Sequence, residues 1–317
     1  MGSTSLGVRP ARRDAHPKAH GCVRAEFRVE PDLPPALAQG AFVPGATYRA
    51  WIRFSNGNSD PDRAGIRRDA RGMAIKLTGV PGEKLLASER DATTQDFVLI
   101  SHPAFFADDP SRYLKLIERA TSRNPLKVAL ASLALGFKGA WIAAKLASKR
   151  IASPLETRYW SSVPSRLGAG EGRQAVKYSA RPSGALSTTI PDDPGSNYLR
   201  EAMARTLAER DASFDFLVQP RSGPSMNVED SMTEWPEDEA PFFKVATILI
   251  PRQVFTSPEQ DVFCENLSFT PWHALPEHRP LGGVNRVRRV VYESISTFRH
   301  ELNGATRREP TGDETFP

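Results

Sequence analysis

The sequence predicts an α+β fold, an antiparallel β-barrel with helices packed around it, and three observations carry that prediction. Four segments in the first hundred residues and three between 174 and 250 alternate or run apolar with strand-like composition and turn residues between them. Helical patterns with recognisable caps lie outside those segments. At 317 residues the chain can bury a sizeable core, and barrels of this length commonly form one unit.

Taken in order, residues 1–19 are polar and basic and read as an N-terminal tail. Residues 20–304 read as one domain and 305–317 as a C-terminal tail. Strands are expected at 23–29, 47–54, 72–78 and 97–101, with Asn56-Gly-Asn58 supplying turn chemistry. A helix begins near Asp109-Pro-Ser111, where Asp109 and Ser111 offer caps and Pro110 suits a first turn. Residues 126–149 are apolar apart from lysines, and at about 100° per residue Lys127, Lys138, Lys145 and Lys149 fall within about 40° of one another. Internal lysines oppose a spanning helix. The stretch is either a helical hairpin on the barrel with its lysines in water, bent at Gly136 and Gly139, or a peripheral contact with an anionic membrane. Strands follow at 174–180, 213–219 and 242–250, with a helix over 199–209. The acidic segment 230–239 reads as a solvated loop, and 286–299 as a final helix. The strands are expected to surround a cofactor.

The final helix carries the chemistry. Arg288 and Tyr292 lie four apart and share a face. A fixed positive charge favours an ionised phenol, and tyrosinate is among the protein ligands of haem iron. On these residues alone, a partly buried Tyr with an Arg on its ring is the plainer reading. An acid/base group opposite such a ligand is expected to titrate near neutrality, and His20 is the candidate. Trp51-Ile-Arg53-Phe-Ser55 alternates like a strand and ends in a hydroxyl able to fix an imidazole tautomer. His16 and His20 are four apart, but Pro17 opposes the helix that a metal pair would need. His102, His273, His278 and His300 have no ligand spacing.

In sequential order, the segment around His20, Arg53-Phe-Ser55, Arg71-Gly-Met-Ala-Ile-Lys76, Pro103-Ala-Phe-Phe106, Phe263 to Pro271 and Arg288-x-x-x-Tyr292 with Arg299 resemble the haem catalase family. The resemblance spans about residues 13–304 and implies a single catalase-like barrel domain binding haem b. It implies Tyr292 as the iron ligand, Arg288 as the support of its phenolate, and His20 as the distal acid/base oriented by Ser55. Arg53 and Arg299 match guanidinium groups that pair with haem propionates, and Tyr113 falls where the family sets an aromatic ring against the porphyrin. The chain departs from the family where catalases carry an Asn that bonds peroxide, for Ile100 stands there. The residues that flank the distal histidine in relatives are also missing before His20. A less polar pocket favours organic hydroperoxides over hydrogen peroxide.

The resulting expectation is a haem-dependent peroxidase that uses a hydroperoxide and a small-molecule reductant. Its alternatives are a fatty-acid hydroperoxide isomerase or lyase, a weak catalase, and a haem sensor or carrier without turnover. The two cysteines, Cys22 and Cys264, do not suggest a disulfide framework, which fits a reducing compartment. Either could still be considered a thiolate ligand, and Cys22 could line the distal pocket. No secretory leader is read at the start, so a cytoplasmic homo-oligomer is expected. The net charge of +5 is spread along the chain without basic and aromatic clusters, which argues against nucleic-acid binding.

Overall fold

The computed structural model describes residues 11–13, 15–109, 111, 112, 115, 119 and 134–317, apart from the side chain of residue 147. Among these, nine strands form one antiparallel sheet: β1 (Ala19–Val29), β2 (Thr47–Asn56), β3 (Arg71–Thr78), β4 (Thr94–Ile100), β5 (Tyr159–Trp160), β6 (Ser165–Leu167), β7 (Gln174–Pro182), β8 (Ala212–Pro220) and β9 (Phe243–Ile250). Their order is β5-β4-β3-β2-β1-β9-β8-β7-β6, and a further β5–β7 pairing closes eight of them into a barrel, with β6 outside the ring. Closure removes the open edges that would otherwise template aggregation. Four helices accompany the described barrel: α1 (Gly136–Ser148), α2 (Tyr198–Glu209), α3 (Pro258–Asn266) and α4 (Gly283–Asn303).

Side chains alternate across a strand, so each strand of the barrel has an inner and an outer set. Phe54, Met73 and Leu99 point into the lumen with Phe27, Phe42, Phe97, Tyr178 and Phe216. These rings stack or meet edge to edge, as where Phe97 and Phe216 lie 4.9 Å apart, so side chains fill the lumen. The barrel therefore does not enclose a cofactor, contrary to the sequence expectation.

The opposite set makes the outer face. Cross-strand pairing places Ser55 beside Gly72 and Gly72 beside Ile100 in one row, and Cys22, Arg53, Ala74 and Val98 in the next. Helix α4 is tied to the segment that follows α3. Ser296 and Ser268 share a hydrogen bond of 2.6 Å, His300 Nε2 meets Asn266 O at 2.9 Å, and Trp272 Nε1 donates to Asn285 O at 2.6 Å. Gly304, with φ +61°, ends α4 in the left-handed conformation.

Both ends of the chain engage the barrel and α4. Ala11 and Asn303 exchange hydrogen bonds of 2.6 and 2.9 Å. Glu309 reaches Lys76 at 2.6 Å, and Trp51 Nε1 donates to Glu314 at 3.0 Å. Residues 11–13, 15–18 and 305–317, read from sequence as parts of the tails, thus pack with the folded body.

Of the expected 126–149 stretch, 126–133 lies outside the described residues. Gly139 is required where α1 crosses residue 106, since a Cβ there would stand 2.6 Å from Phe106 O. Of the described lysines in this stretch, Lys138 and Lys145 are exposed and Lys149 is half-buried. Lys138 donates to Thr233 Oγ1 at 2.7 Å, and Lys149 sits over the Trp160 ring at 5.7 Å. The acidic 230–239 segment is anchored by buried Trp235. No helix among the described residues is long and apolar enough to cross a membrane.

Candidate active site

A slot lies between the outer face of β2–β4 and α4. Most residues of that face are buried, but Ala74, Val98 and Ile100 are partly exposed along its floor. Arg288 of α4 lines one small cavity together with Val98 and Asn285, so the helix stands directly over β4. Arg288 Nη2 donates to the Tyr292 hydroxyl at 3.1 Å, and its guanidinium carbon lies 5.1 Å from the centre of the Tyr292 ring. Its other arm donates to Asn285 Oδ1 at 3.2 Å, which fixes the fork. The phenol therefore has a guanidinium at its oxygen.

On the sheet side, the histidine that meets Ser55 is His16. Its Nδ1 lies 3.1 Å from Ser55 Oγ. Gly72 makes room for the pair: a Cβ on Gly72 would stand 2.6 Å from His16 Nδ1 and 2.7 Å from Ser55 Oγ. Burial lowers the imidazole to about 4, and the charges of Arg53, Arg288 and Arg13 add to the effect, so the ring is neutral at physiological pH. His16 also has φ +59° immediately before Pro17, a backbone conformation that proline's predecessor and any non-glycine residue disfavour.

His20 does not meet Ser55. Its Nε2 lies 2.8 Å from Asn56 Oδ1, which also accepts from Arg71, and the ring packs toward Gly65. At 1% exposure it is sealed from the slot, whereas His16 is partly exposed. Burial first, then the charge of Arg71, lowers it to about 3. The cause of the misassignment is local. The β1–β2 register shifts between Ala19 and Gly21, so sequence alternation does not reveal which histidine reaches over Ser55.

Three guanidinium groups converge beyond His16. Arg53 donates to His16 O at 2.8 Å, Arg13 pairs with Glu265 at 2.9 Å, and Arg299 lies 3.7 Å from the same carboxylate and donates to Leu267 O at 3.3 Å. Burial lowers Arg299 to about 10, with repulsion from Arg13 and Arg53 adding to it. Arg53 Nε is buried with no hydrogen-bond partner among the described residues. One carboxylate against three cations leaves the cluster short of negative charge, so it suits a ligand bearing two carboxylates. Together with a floor built on Gly72 and Ala74 and a phenol opposite, these residues fit a flat dianionic macrocycle. Sequence reasoning missed Arg13 and His16, and the signal available was their three-residue spacing. It also explains why the flanking residues looked absent when counted from His20.

Ile100 is on the Ser55–Gly72 row and packs with Ala104, Ile142 and Met232, so that wall of the slot is apolar and continuous with α1. Ser101 points away and accepts from Arg71 N at 2.9 Å. Tyr113, expected against the ligand plane, lies outside the described residues. Cys22 belongs to the Arg53 row on the outer face rather than to the row of Ser55.

With the geometry in place, similarity to known proteins is informative. No family model matches the chain. A curated protein of Mycolicibacterium paratuberculosis named catalase-related peroxidase is 29% identical over 234 residues, which is 72% of this chain and 71% of that protein. A fungal catalase superposes over 96% of this chain with a TM-score of 0.70 at 17% identity, and a bacterial catalase with 0.72 at 16%. Catalase A of Saccharomyces cerevisiae gives 0.68 at 17% identity. The chain has the catalase fold. It spans 63% of the fungal and bacterial catalases and 65% of the yeast one. The catalase fold accounts for the filled barrel and for a slot outside it.

Proposed function

We propose that this chain is a member of the catalase superfamily and a haem-dependent peroxidase that reduces organic hydroperoxides, and hydrogen peroxide weakly. What supports it is an Arg-contacted phenol on α4 together with a neutral, Ser-held imidazole and a guanidinium cluster short of negative charge on the sheet side. The curated relative's name, catalase-related peroxidase, points the same way.

Tyr292 would hold the iron through the phenolic oxygen that Arg288 contacts, and Arg53, Arg13 and Arg299 would pair with the propionates of haem b. The bound haem would supply the redox centre that accepts oxidation from the peroxide. His16 takes the acid/base role assigned from sequence to His20. With Ser55 holding Nδ1, Nε2 is left to take the proton from the peroxide's near oxygen and return it to the departing one. Ile100 offers no hydrogen bond to a second polar end of hydrogen peroxide, whereas its apolar wall accommodates a carbon substituent. A small-molecule reductant returns the two electrons. The same apolar wall supports a second reading, a hydroperoxide isomerase or lyase. Lipid contact through exposed Phe137 and Trp141 of α1, with Lys145 beside them, would suit fatty-acid substrates.

The test is Tyr292→Phe together with product analysis. The variant is expected to lose stable haem and its Soret band, and retention of an unchanged band would refute the axial assignment. Alcohol from a fatty-acid hydroperoxide marks the peroxidase, epoxide or aldehyde the isomerase or lyase, and oxygen from hydrogen peroxide a catalase.

A further inference from the structure

The chain has two cysteines, 242 residues apart in sequence, and the fold brings both to one place: they pack with Trp51 and Leu267 in one small cluster. Cys22 sits on β1 and Cys264 near the end of α3, and both are reduced and almost fully buried. Each is tied down by its backbone. Gln260 Nε2 donates to Cys22 O at 2.7 Å, and Arg13 Nη2 donates to Cys264 O at 3.2 Å. The thiol of Cys22 turns toward Cys264. That contact, with the charges of Arg53 and Arg13, favours a thiolate at Cys264, while burial pushes Cys22 the other way.

The pair adjoins the candidate active site. Cys22 is the cross-strand partner of Arg53, whose own partner on the other side is Ala74 on the slot floor. Two strand spacings separate Cys22 from Ala74, about 10 Å. Two of the three guanidinium groups assigned to the propionates therefore also influence the thiols. Burial keeps a bulky hydroperoxide off the sulfurs but does not prevent electrons from leaving them over this distance.

We propose that Cys22 and Cys264 are a built-in two-electron donor for the peroxidase, closing to a disulfide once per hydroperoxide reduced. The proposal rests on the haem peroxidase reading above. The two thiols lose two electrons and two protons and form one S–S bond. The hydroperoxide takes up the same two electrons and two protons, its O–O bond breaks, and one alcohol and one water leave. Two equivalents of an external thiol small enough to reach the pair then reopen the disulfide by exchange and leave as their own disulfide.

The test has an arm that needs no haem. Haem-free protein is treated with diamide, which takes up two electrons and two protons, and the thiols are then alkylated under denaturing conditions. Both thiols are expected to be protected in wild type, and recovery of two alkylatable thiols would overturn the proposal. Holoprotein is then given one equivalent of cumene hydroperoxide with no added reductant. One cumyl alcohol per chain, loss of both thiols and return of the haem band to its resting position are expected, whereas C22S and C264S, which make the same single alcohol at the expense of the haem, should keep an oxidised haem band. Return of the band in these variants at the wild-type rate, or thiols that stay alkylatable in holoprotein that still turns over with added ascorbate, would sink the donor role and leave the haem reading intact. Absence of a Soret band would instead count against the haem reading, which the diamide arm does not touch.

Discussion

His16 bears two costs that an unconstrained residue would shed, a left-handed backbone before proline and an imidazole stripped of water. The first alone is worth about 1–2 kcal/mol. Strain of this kind persists where surrounding structure holds it, and here Ser55, Gly72 and Arg53 do so. Replacing His16 with Ala should lower hydroperoxide turnover by roughly 10²–10⁴-fold while haem absorbance stays, because proton transfer and not haem capture is lost. His20→Ala should behave differently. It removes a partner from the Asn56 and Arg71 network and should lower stability by about 1–3 kcal/mol in urea unfolding, with turnover changed less than tenfold. Equal rate losses in the two variants would return the acid/base role to His20. The residue types were legible at this scale, since Arg53, Ser55, Arg288, Tyr292 and Arg299 were all named from sequence. Which histidine meets Ser55 was not legible, because it depends on a register irregularity and on a glycine one strand away.

Helix α4 and the segment after it form a clamp over the outer face. The helix presents Arg288 and Tyr292 to the slot, and its continuation carries Glu309 to Lys76, which also pairs with Asp96 at 2.7 Å. Burial opposes the charge on Glu309, yet Lys76 and His273 hold its carboxyl down to about 2. A buried ammonium stripped of one partner is strongly penalised, so Glu309→Gln should cost about 3 kcal/mol. Freed of that anchor, residues 305–317 should be cleaved by trypsin after Arg307 and Arg308 several times faster than in wild type. Unchanged cleavage would mean that the contacts of Glu314 and Phe316 with Trp51 suffice to hold the segment. Strand and helix boundaries agreed with the sequence to within a few residues where alternation was strong, as for β7, β8 and β9. Strands β5 and β6 escaped because two or three residues carry no periodic signal, and β5 is the one that closes the barrel.

In the whole molecule, four imidazoles are held in forms that resist protonation: His16 and His273 at about 4, and His20 and His278 at about 3, each mainly through burial. Unfolded histidine titrates near 6.5. Because the folded values are depressed, these groups contribute stability that is fully present above about pH 6.5 and is lost as the pH falls toward 3. The melting temperature should therefore fall steadily from pH 6.5 to 4, and a His278→Gln variant should show a shallower decline over that window. A flat profile would mean that the histidines are solvated. By itself, the sequence determined the α+β class, the late Arg-x-x-x-Tyr, and the apolar wall at Ile100, because helical spacing, strand alternation and side-chain chemistry are local properties. Only the tertiary structure decided that the barrel is filled and the slot lies outside it, that His16 faces Ser55, that Arg13 joins the cation cluster, and that two distant thiols meet. Those facts depend on cross-strand register and on the packing of α3 and α4 against the sheet, which join residues that no sequence period connects.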